Sequence, residues 1–570
     1  MDRNTVIGIV LILAIMILWP FYSQMVAPLD EISTPRIDST RVHRDTGELG
    51  KTRDSLVSEA KTIAKIQIAK DTSKIQRRPE QVLSIETDLY STRISSRGGR
   101  FLNWFLKLYT TQNDDAVNPV DSTVNFNITL KYKDQLIETR ELDWTFSTFD
   151  PIVCQGSQTQ DFTMVAPIDS IRRIVAQYRV TGNTYDLALS VRFEGFGDEV
   201  PGGEYSVEWK SGMRPVENNV ADEILYQKAY AMLGEDKEEY DVDDQAEISY
   251  SGTTKWISTR NKYFALFIIP LAEDGVSARF SGMNITESDH IVNRLYSIGL
   301  GMKFSPGKAQ DFKLYIGPTD YTLLASYEEN LNVIVEWGWA IFRPFTKAIF
   351  YTFRFLYDVI PNYGWVIIVF ALLVKLLLWP LTHKSYVGMQ KMKEVMPRQK
   401  ALQEKYKGNP TKLQQEMMKL YKEVGYNPLS GCLPMLIQIP ILFPIYQVFR
   451  ESIDLRQAPW FGWIHDLSLP DTIYVARTGL PLIGDFNINP LPIIMTILTF
   501  VQQKVAPMTP MGDTTDPAQR FNQKFMMYGM PILFYFLFNN FSSGLVLYWT
   551  IFNVLTMVQQ LYLTPKPKKA

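Results

Sequence analysis

Hydrophobic positions along this chain change period three times. Residues 5–23, TVIGIVLILAIMILWPFYS, are an almost unbroken apolar run. A cleaved signal peptide would show a basic start and a small-x-small cleavage site. This run instead closes on Trp19, Pro20, Phe21 and Tyr22, an interfacial aromatic cluster. It predicts an uncleaved membrane anchor. Residues 27–80 are rich in Asp, Ser, Thr, Lys and Arg and predict a linker unable to bury a core.

From about 82 to 330 the period becomes two. In TVNFNITLKYK (123–133), Val124, Phe126, Ile128, Leu130 and Tyr132 share one face. In YDLALSVRFE (185–194), Tyr185, Leu187, Leu189, Val191 and Phe193 do the same. Such alternation, punctuated by Gly, Asn and Asp, predicts antiparallel sheets with one buried face, here one large β-sandwich.

Beyond 336 the pattern is helical. In 337–360, Arg343, Lys347, Arg354 and Asp358 fall within about 60° of a helix otherwise aromatic and aliphatic. A narrow charged stripe of this kind predicts a helix lying in the membrane interface; a buried helix of the soluble part is the competing reading. Five further spans are predicted near 363–381, 431–449, 489–506, 525–541 and 544–563, each close to the 20 or so residues a bilayer requires. The boundaries give a signal-anchor (1–26), a linker (27–80), a β-domain (81–335), an interfacial helix (336–361), a second span (362–382), a cytoplasmic helical hairpin (383–428), four further spans (429–563) and a basic tail (564–570). The fold class is therefore a polytopic α-helical membrane protein of six spans, five of them forming a core, with an all-β domain outside.

Charge assigns the sides. The formal net charge of −2 hides a split: residues 27–335 hold 34 Lys+Arg against 46 Asp+Glu, and residues 336–570 hold 23 against 13. Segment 383–427 carries ten Lys+Arg and four Glu, whereas 451–488 carries two Arg and five acidic residues. By the positive-inside rule 383–427 and both termini are cytoplasmic, and the acidic β-domain lies on the other side. Within 383–427, Leu413, Met417, Leu420, Tyr421 and Val424 form one helical face. Asn409 is placed as N-cap, Pro410 at the first helical position and Gly425 as stop, with an earlier helix over 384–407 interrupted at Pro397. Methionines 389, 392, 396, 417 and 418 offer either an adaptable apolar surface or the seam of the hairpin itself.

Two cysteines and four histidines, all scattered, build no disulfide framework and no metal site, and nothing in the pattern calls for a cofactor or a nucleic-acid site. The chemistry-bearing residue is Lys375, the one charge within its span. A lysine at the centre of a membrane helix costs ~2.5–3.5 kcal/mol on insertion scales, so such residues face a cavity or snorkel to the headgroups. Other spans supply Gln438, Gln447, Gln502, Gln503, Asn553, Gln559 and Gln560, and no carboxylate to pair with it.

The stretches WPLTHKSYVGMQKM, QEMMKLYKEVGYNPLSGCLPMLIQIPILFPIYQVF, SIDLRQAPWFGWIHDLS and SSGLVLYWTIFNVLTMVQQ resemble the YidC family of membrane-protein insertases, and IETDLYSTRISSRGGRFLNWFLKLY (85–109) resembles the start of that family's Gram-negative periplasmic domain. The resemblance implies a periplasmic β-supersandwich and an insertase and chaperone of the bacterial inner membrane. It also implies a hydrophilic groove in the last five spans whose positive charge receives the acidic tail of a client. On the matching positions the groove residues are Lys375, Gln438, Tyr548 and Trp549, and the hairpin that receives clients carries Met389, Met392 and Met396. Lysine stands at 375 where the family usually has arginine, and Ala371 where some members are polar. The implied partners are nascent membrane proteins, the Sec translocon, the ribosome and the lipid bilayer. A transporter using the same lysine is the second expectation, opposed by the lack of inverted repeats. An enzyme is not expected, because no paired catalytic carboxylates are recognisable in the sequence.

Overall fold

The computed structural model describes residues 79–563 apart from 124, 244–245, 288–289, 407, 426–432, 478–484, 506–520 and 522–523; within helices, side chains such as those of 387–394 and 396 are also outside the described set. The chain forms two compact units, divided between Gly317 and Pro318. The predicted anchor at 5–23, the basic tail and nearly all of the linker lie outside the described residues.

The first unit is almost entirely β. A five-stranded sheet contains Val82–Glu86, Tyr90–Ser95 and Phe101–Thr110, and a second sheet has 14 strands. The alternating segments sit where their period requires. Strand Asp186–Glu194 buries Leu187, Leu189, Val191 and Phe193 and turns the residues between them outward. It pairs antiparallel with Arg173–Thr181 and Gln310–Pro318. Strand Phe264–Pro270, FALFIIP, is buried at every position, so both faces of the sheet are covered there. Trp104, Trp209 and Trp256 are fully buried, and Trp104 stacks on Tyr90 at a centroid distance of 4.2 Å.

The second unit is helical. Its principal helices are α1 (Arg343–Val359), α2 (Tyr363–Lys405), α3 (Pro410–Val424), α4 (Leu433–Glu451), α5 (Pro490–Val505), α6 (Met530–Phe538) and α7 (Ser543–Leu563). Among the described residues two helices are long and apolar enough to cross a membrane, Tyr363–His383 within α2 and Ser543–Tyr562 within α7; Met527–Phe538 is apolar but shorter.

Three local expectations change. Helix α1 starts at Arg343 and not at 337, because Gly338 takes φ +73 and Pro344 sits in the first turn. Helix α2 runs 43 residues without a break at Pro397. Proline removes one backbone bond, and where the flanking bonds hold the helix continues. At 1.5 Å per residue α2 is about 65 Å long, twice the hydrocarbon thickness, so its second half extends beyond any bilayer its first half crosses. Third, α6 is preceded by a π-helical turn, Phe525–Gly529, in place of one regular helix over 525–541.

The hairpin ends follow the capping chemistry. The Asn409 side chain accepts from Lys412 N at 3.1 Å, Pro410 opens α3, and Gly425 at φ +64 closes it. The face carrying Leu413, Met417, Leu420, Tyr421 and Val424 is the less exposed one, with Leu420 buried and Met418 turned out.

Candidate functional site: the seam between α2 and α7

Among the described residues, the apolar core of the helical unit is built around the start of α2, the end of α4 and the start of α7. It gathers Val366, Ile367, Phe370 and Val374 from the start of α2, Ile445, Val448 and Phe449 from the end of α4, and Leu545, Val546 and Tyr548 from the start of α7. Helix α1 adds Ile349, Phe350, Phe353 and Leu356. Gly544 permits a close approach of α7 to α4: a Cβ there would lie 2.5 Å from Phe449 Cε1. This end of the seam is sealed by packed rings, among them Phe353 with Phe370 at 4.9 Å and Phe353 with Phe449 at 5.6 Å.

One turn further along α2 the chemistry changes. Lys375 is only 2% exposed. Its Nζ donates to Thr556 Oγ1 at 2.8 Å, and it lies 4.8 Å from the Phe552 ring centroid and 5.8 Å from that of Tyr386. No carboxylate among the described residues pairs with it. The Thr556 hydroxyl donates in turn to Phe552 O at 2.7 Å. Beyond this point Thr382, Ser385, Gln559 and Gln560 are buried polar residues, and Gln559 Nε2 donates to Thr382 Oγ1 at 3.1 Å. The seam is therefore aromatic and closed at one end, cationic at its middle and polar at the other.

The residues singled out in the sequence are distributed unequally around this seam. Tyr548 faces α2, with its ring 6.1 Å from Phe370 and 5.9 Å from Phe552, and its buried hydroxyl has no hydrogen-bond partner among the described residues. Trp549 points to α6, against Phe538 at 5.2 Å and Phe534 at 6.5 Å, so the adjacent aromatic pair splits over two faces of α7. Gln438 is half-buried in α4, and its Nε2 has no partner among the described residues. Gln447, at the other end of α4, donates to Glu336 O at 3.0 Å and holds a loop. Asn553 Nδ2 meets Thr499 Oγ1 at 3.4 Å, which links α7 to α5. Met389, Met392 and Met396 lie on the backbone of α2, but their side chains are outside the described residues. Thr556, Phe552, Thr382 and Tyr386 were not singled out. A signal existed for two of them, since Thr382 and Tyr386 stand at i+7 and i+11 from Lys375 and share its helical face.

Comparison with known proteins follows this geometry. Residues 355–570 match the family described as 60Kd inner membrane protein, and residues 82–352 match the YidC periplasmic domain. The membrane protein insertase YidC of Chlorobaculum tepidum is 33% identical over 99% of this chain and 94% of its own length. That of Chloroherpeton thalassium is 35% identical over 99% and 96%. The chain belongs to the YidC family of membrane-protein insertases. A crystal structure of an active YidC insertase with its first transmembrane domain resolved aligns over 90% of this chain and 100% of that one, at 17% identity and a TM-score of 0.36. This YidC-family chain is accordingly an inner-membrane protein that inserts membrane proteins, with a periplasmic domain that is mostly β-sheet.

Two polar clusters of the insertase stand apart from the seam. In the helical unit Arg354 of α1 pairs with Asp320 at 2.6 Å and Asp454 at 3.4 Å, which joins three separate segments. Burial pushes the Asp454 carboxyl up, against the pull of Arg354. In the β-unit Glu223 is fully buried; its Oε2 accepts from Val216 N and Glu217 N at 2.8 Å each, while Oε1 has no partner. Burial pushes this carboxyl up to about 8.

Proposed function

We propose that this insertase works through a hydrophilic groove along the α2–α7 seam, open toward the cytoplasm, in which Lys375 receives acidic residues of a client's short tail. The observation that carries the reading is a buried ammonium with no acidic partner, placed where a sealed apolar seam becomes polar. Tyr548 lines the seam itself, Gln438 faces the path from α4 and Trp549 flanks it on the α6 side of α7, and the hairpin of α2 and α3, with Met389, Met392 and Met396, meets the incoming chain. Six spans with both termini cytoplasmic put the ten basic residues of 383–427 inside and the β-domain, a supersandwich, in the periplasm. Helix α1 lies in the outer interface. Its buried face (Ile349, Phe353, Leu356) packs inward, Phe345, Phe355 and Val359 are exposed to lipid, and the charged stripe falls between these faces.

No covalent step and no cofactor enter this mechanism. A client span of 20 strongly apolar residues gains about 6–12 kcal/mol on entering lipid, and each acidic residue at mid-membrane costs about 2.5–3.5 kcal/mol. Insertion of a short tail with one or two carboxylates is therefore downhill overall, and what remains is a barrier. A polar groove that shortens the apolar path, with one cation in it, lowers that barrier. Nascent chains arrive from the ribosome, with the basic tail at 564–570 as one contact, and the insertase acts alone or beside the Sec translocon.

The charge is the direct test. Lys375→Arg should retain insertion of a client with an acidic tail, and Lys375→Glu should block it. Equal insertion by the two variants would show that the cation is not used.

A further inference from the structure

We propose that Phe552, Tyr386 and Thr556 form a seat that holds the Lys375 side chain fixed in place and free for a client, without a carboxylate of the protein's own. This deepens the groove reading and rests on it.

A buried ammonium needs its charge compensated, and a carboxylate is the usual means. A carboxylate here would also compete with the client's. The seam solves the problem with weaker groups. The faces of aromatic rings carry negative potential and hold a cation within about 6 Å of the centroid. Phe552 and Tyr386 both meet that distance, at 4.8 and 5.8 Å, from two different helices. Rings attract an ammonium but cannot neutralise it, so its charge stays available to an incoming carboxylate.

Thr556 supplies direction. Its hydroxyl proton is committed to the carbonyl of Phe552 at 2.7 Å, so toward Lys375 the oxygen acts as acceptor. An ammonium has three donors. One is held by Thr556 at 2.8 Å, and no other hydrogen-bond acceptor among the described residues engages Nζ. The remaining donors are those a client carboxylate takes. Phe552 thus serves twice, with its ring beside the cation and with its backbone carbonyl orienting the threonine. These three are positioning residues, since they act through Lys375.

The test is a set of double-mutant cycles in the full-length insertase. Insertion into membranes is measured for one single-span client carrying an acidic tail and for the same client with the tail carboxylates replaced by amides. Phe552→Leu keeps an apolar side chain of similar bulk and removes the ring face; Phe552→Tyr keeps the ring. Thr556→Val removes the hydroxyl at constant shape; Thr556→Ser keeps it. Each is made alone and with Lys375→Met.

We expect Phe552→Leu and Thr556→Val each to lower insertion of the acidic-tailed client by about threefold to tenfold. The amide-tailed client should change by less than half of that. Phe552→Tyr and Thr556→Ser should restore the rate, and neither loss should appear once Lys375 is methionine. If Phe552→Leu or Thr556→Val loses as much in the Lys375→Met background, these residues only pack the seam and the seat is wrong. If Lys375→Met is harmful while both variants are silent, the seat is again wrong and the groove cation stands. If Lys375→Met itself leaves the acidic-tailed client unaffected, the groove reading fails and the seat with it.

Discussion

The ammonium of Lys375 is an expensive group to bury, at ~2.5–3.5 kcal/mol for a mid-span lysine. One hydrogen bond to Thr556 and two ring faces recover part of that cost, about 0.5–2 kcal/mol for each good ring contact in a desolvated site. A buried carboxyl makes a prediction of its own. Glu223 is held protonated in the fold by burial, with its carboxyl at about 8 against an ordinary 4.5. Between these values the unfolded chain gives up a proton that the folded chain keeps, so the Glu223 contribution is fully present below about 4.5 and is lost as pH rises through about 8. Thermal unfolding of the full-length protein in detergent from pH 5 to 8 should show a flatter pH dependence for Glu223→Gln than for the parent. Equal slopes would mean that the carboxyl ionises without penalty. At this scale the sequence made Lys375 visible, because a charge in an apolar run stands out against its neighbours. It did not reveal Phe552 or Thr556, because a phenylalanine and a threonine in a membrane helix are ordinary until the facing helix is placed. Glu223 was equally hidden, one acid among many in a soluble domain.

At the scale of elements, the ends of α3 were legible and the continuity of α2 was not. Asn409, Pro410 and Gly425 act through local backbone chemistry that needs no tertiary partner. Whether Pro397 breaks a helix depends on the surroundings of the freed carbonyl, which sequence does not state. The stripe on α1 was legible as a stripe, but its Arg354 makes ion pairs with Asp320 and Asp454, more than 30 and about 100 residues away in sequence. Removing that guanidinium leaves the half-buried Asp454 near a like charge, Asp320. Arg354→Met should cost about 1–3 kcal/mol of stability, and adding Asp454→Asn should recover much of it; melting curves of the two variants decide whether the cluster ties α1 to the bundle. Gly544 gives a second check. Alanine there would press its Cβ against Phe449 Cε1 at 2.5 Å and Leu467 O at 3.0 Å, so Gly544→Ala should destabilise the sealed end by about 1–3 kcal/mol. A variant as stable as the parent would show that α4 and α7 have room to separate.

Over the whole molecule, an acidic β-unit is joined to a basic helical unit. The positive-inside bias acts on loops and not on packing, so this split is legible in the sequence and is the basis of the proposed orientation. Counting spans was harder. Among the described residues two stretches, one in α2 and one in α7, are long and apolar enough to cross a membrane, while α4 contains two internal prolines and α6 is preceded by a π-turn. Orientation is open to a labelling experiment. In spheroplasts a membrane-impermeant maleimide should modify Ala272→Cys in the β-unit and leave Lys412→Cys on α3 untouched until the membrane is opened; both positions are exposed. The reverse pattern would invert the topology. The central claim, that clients pass along the α2–α7 seam beside Lys375, is tested most directly by placing a photoreactive amino acid at position 375 and, separately, at 548, and irradiating ribosome-bound chains of a single-span client with an acidic tail. The account predicts crosslinks from both positions to the client. Absence of a crosslink from both, with crosslinks from the exposed Leu377 instead, would contradict it.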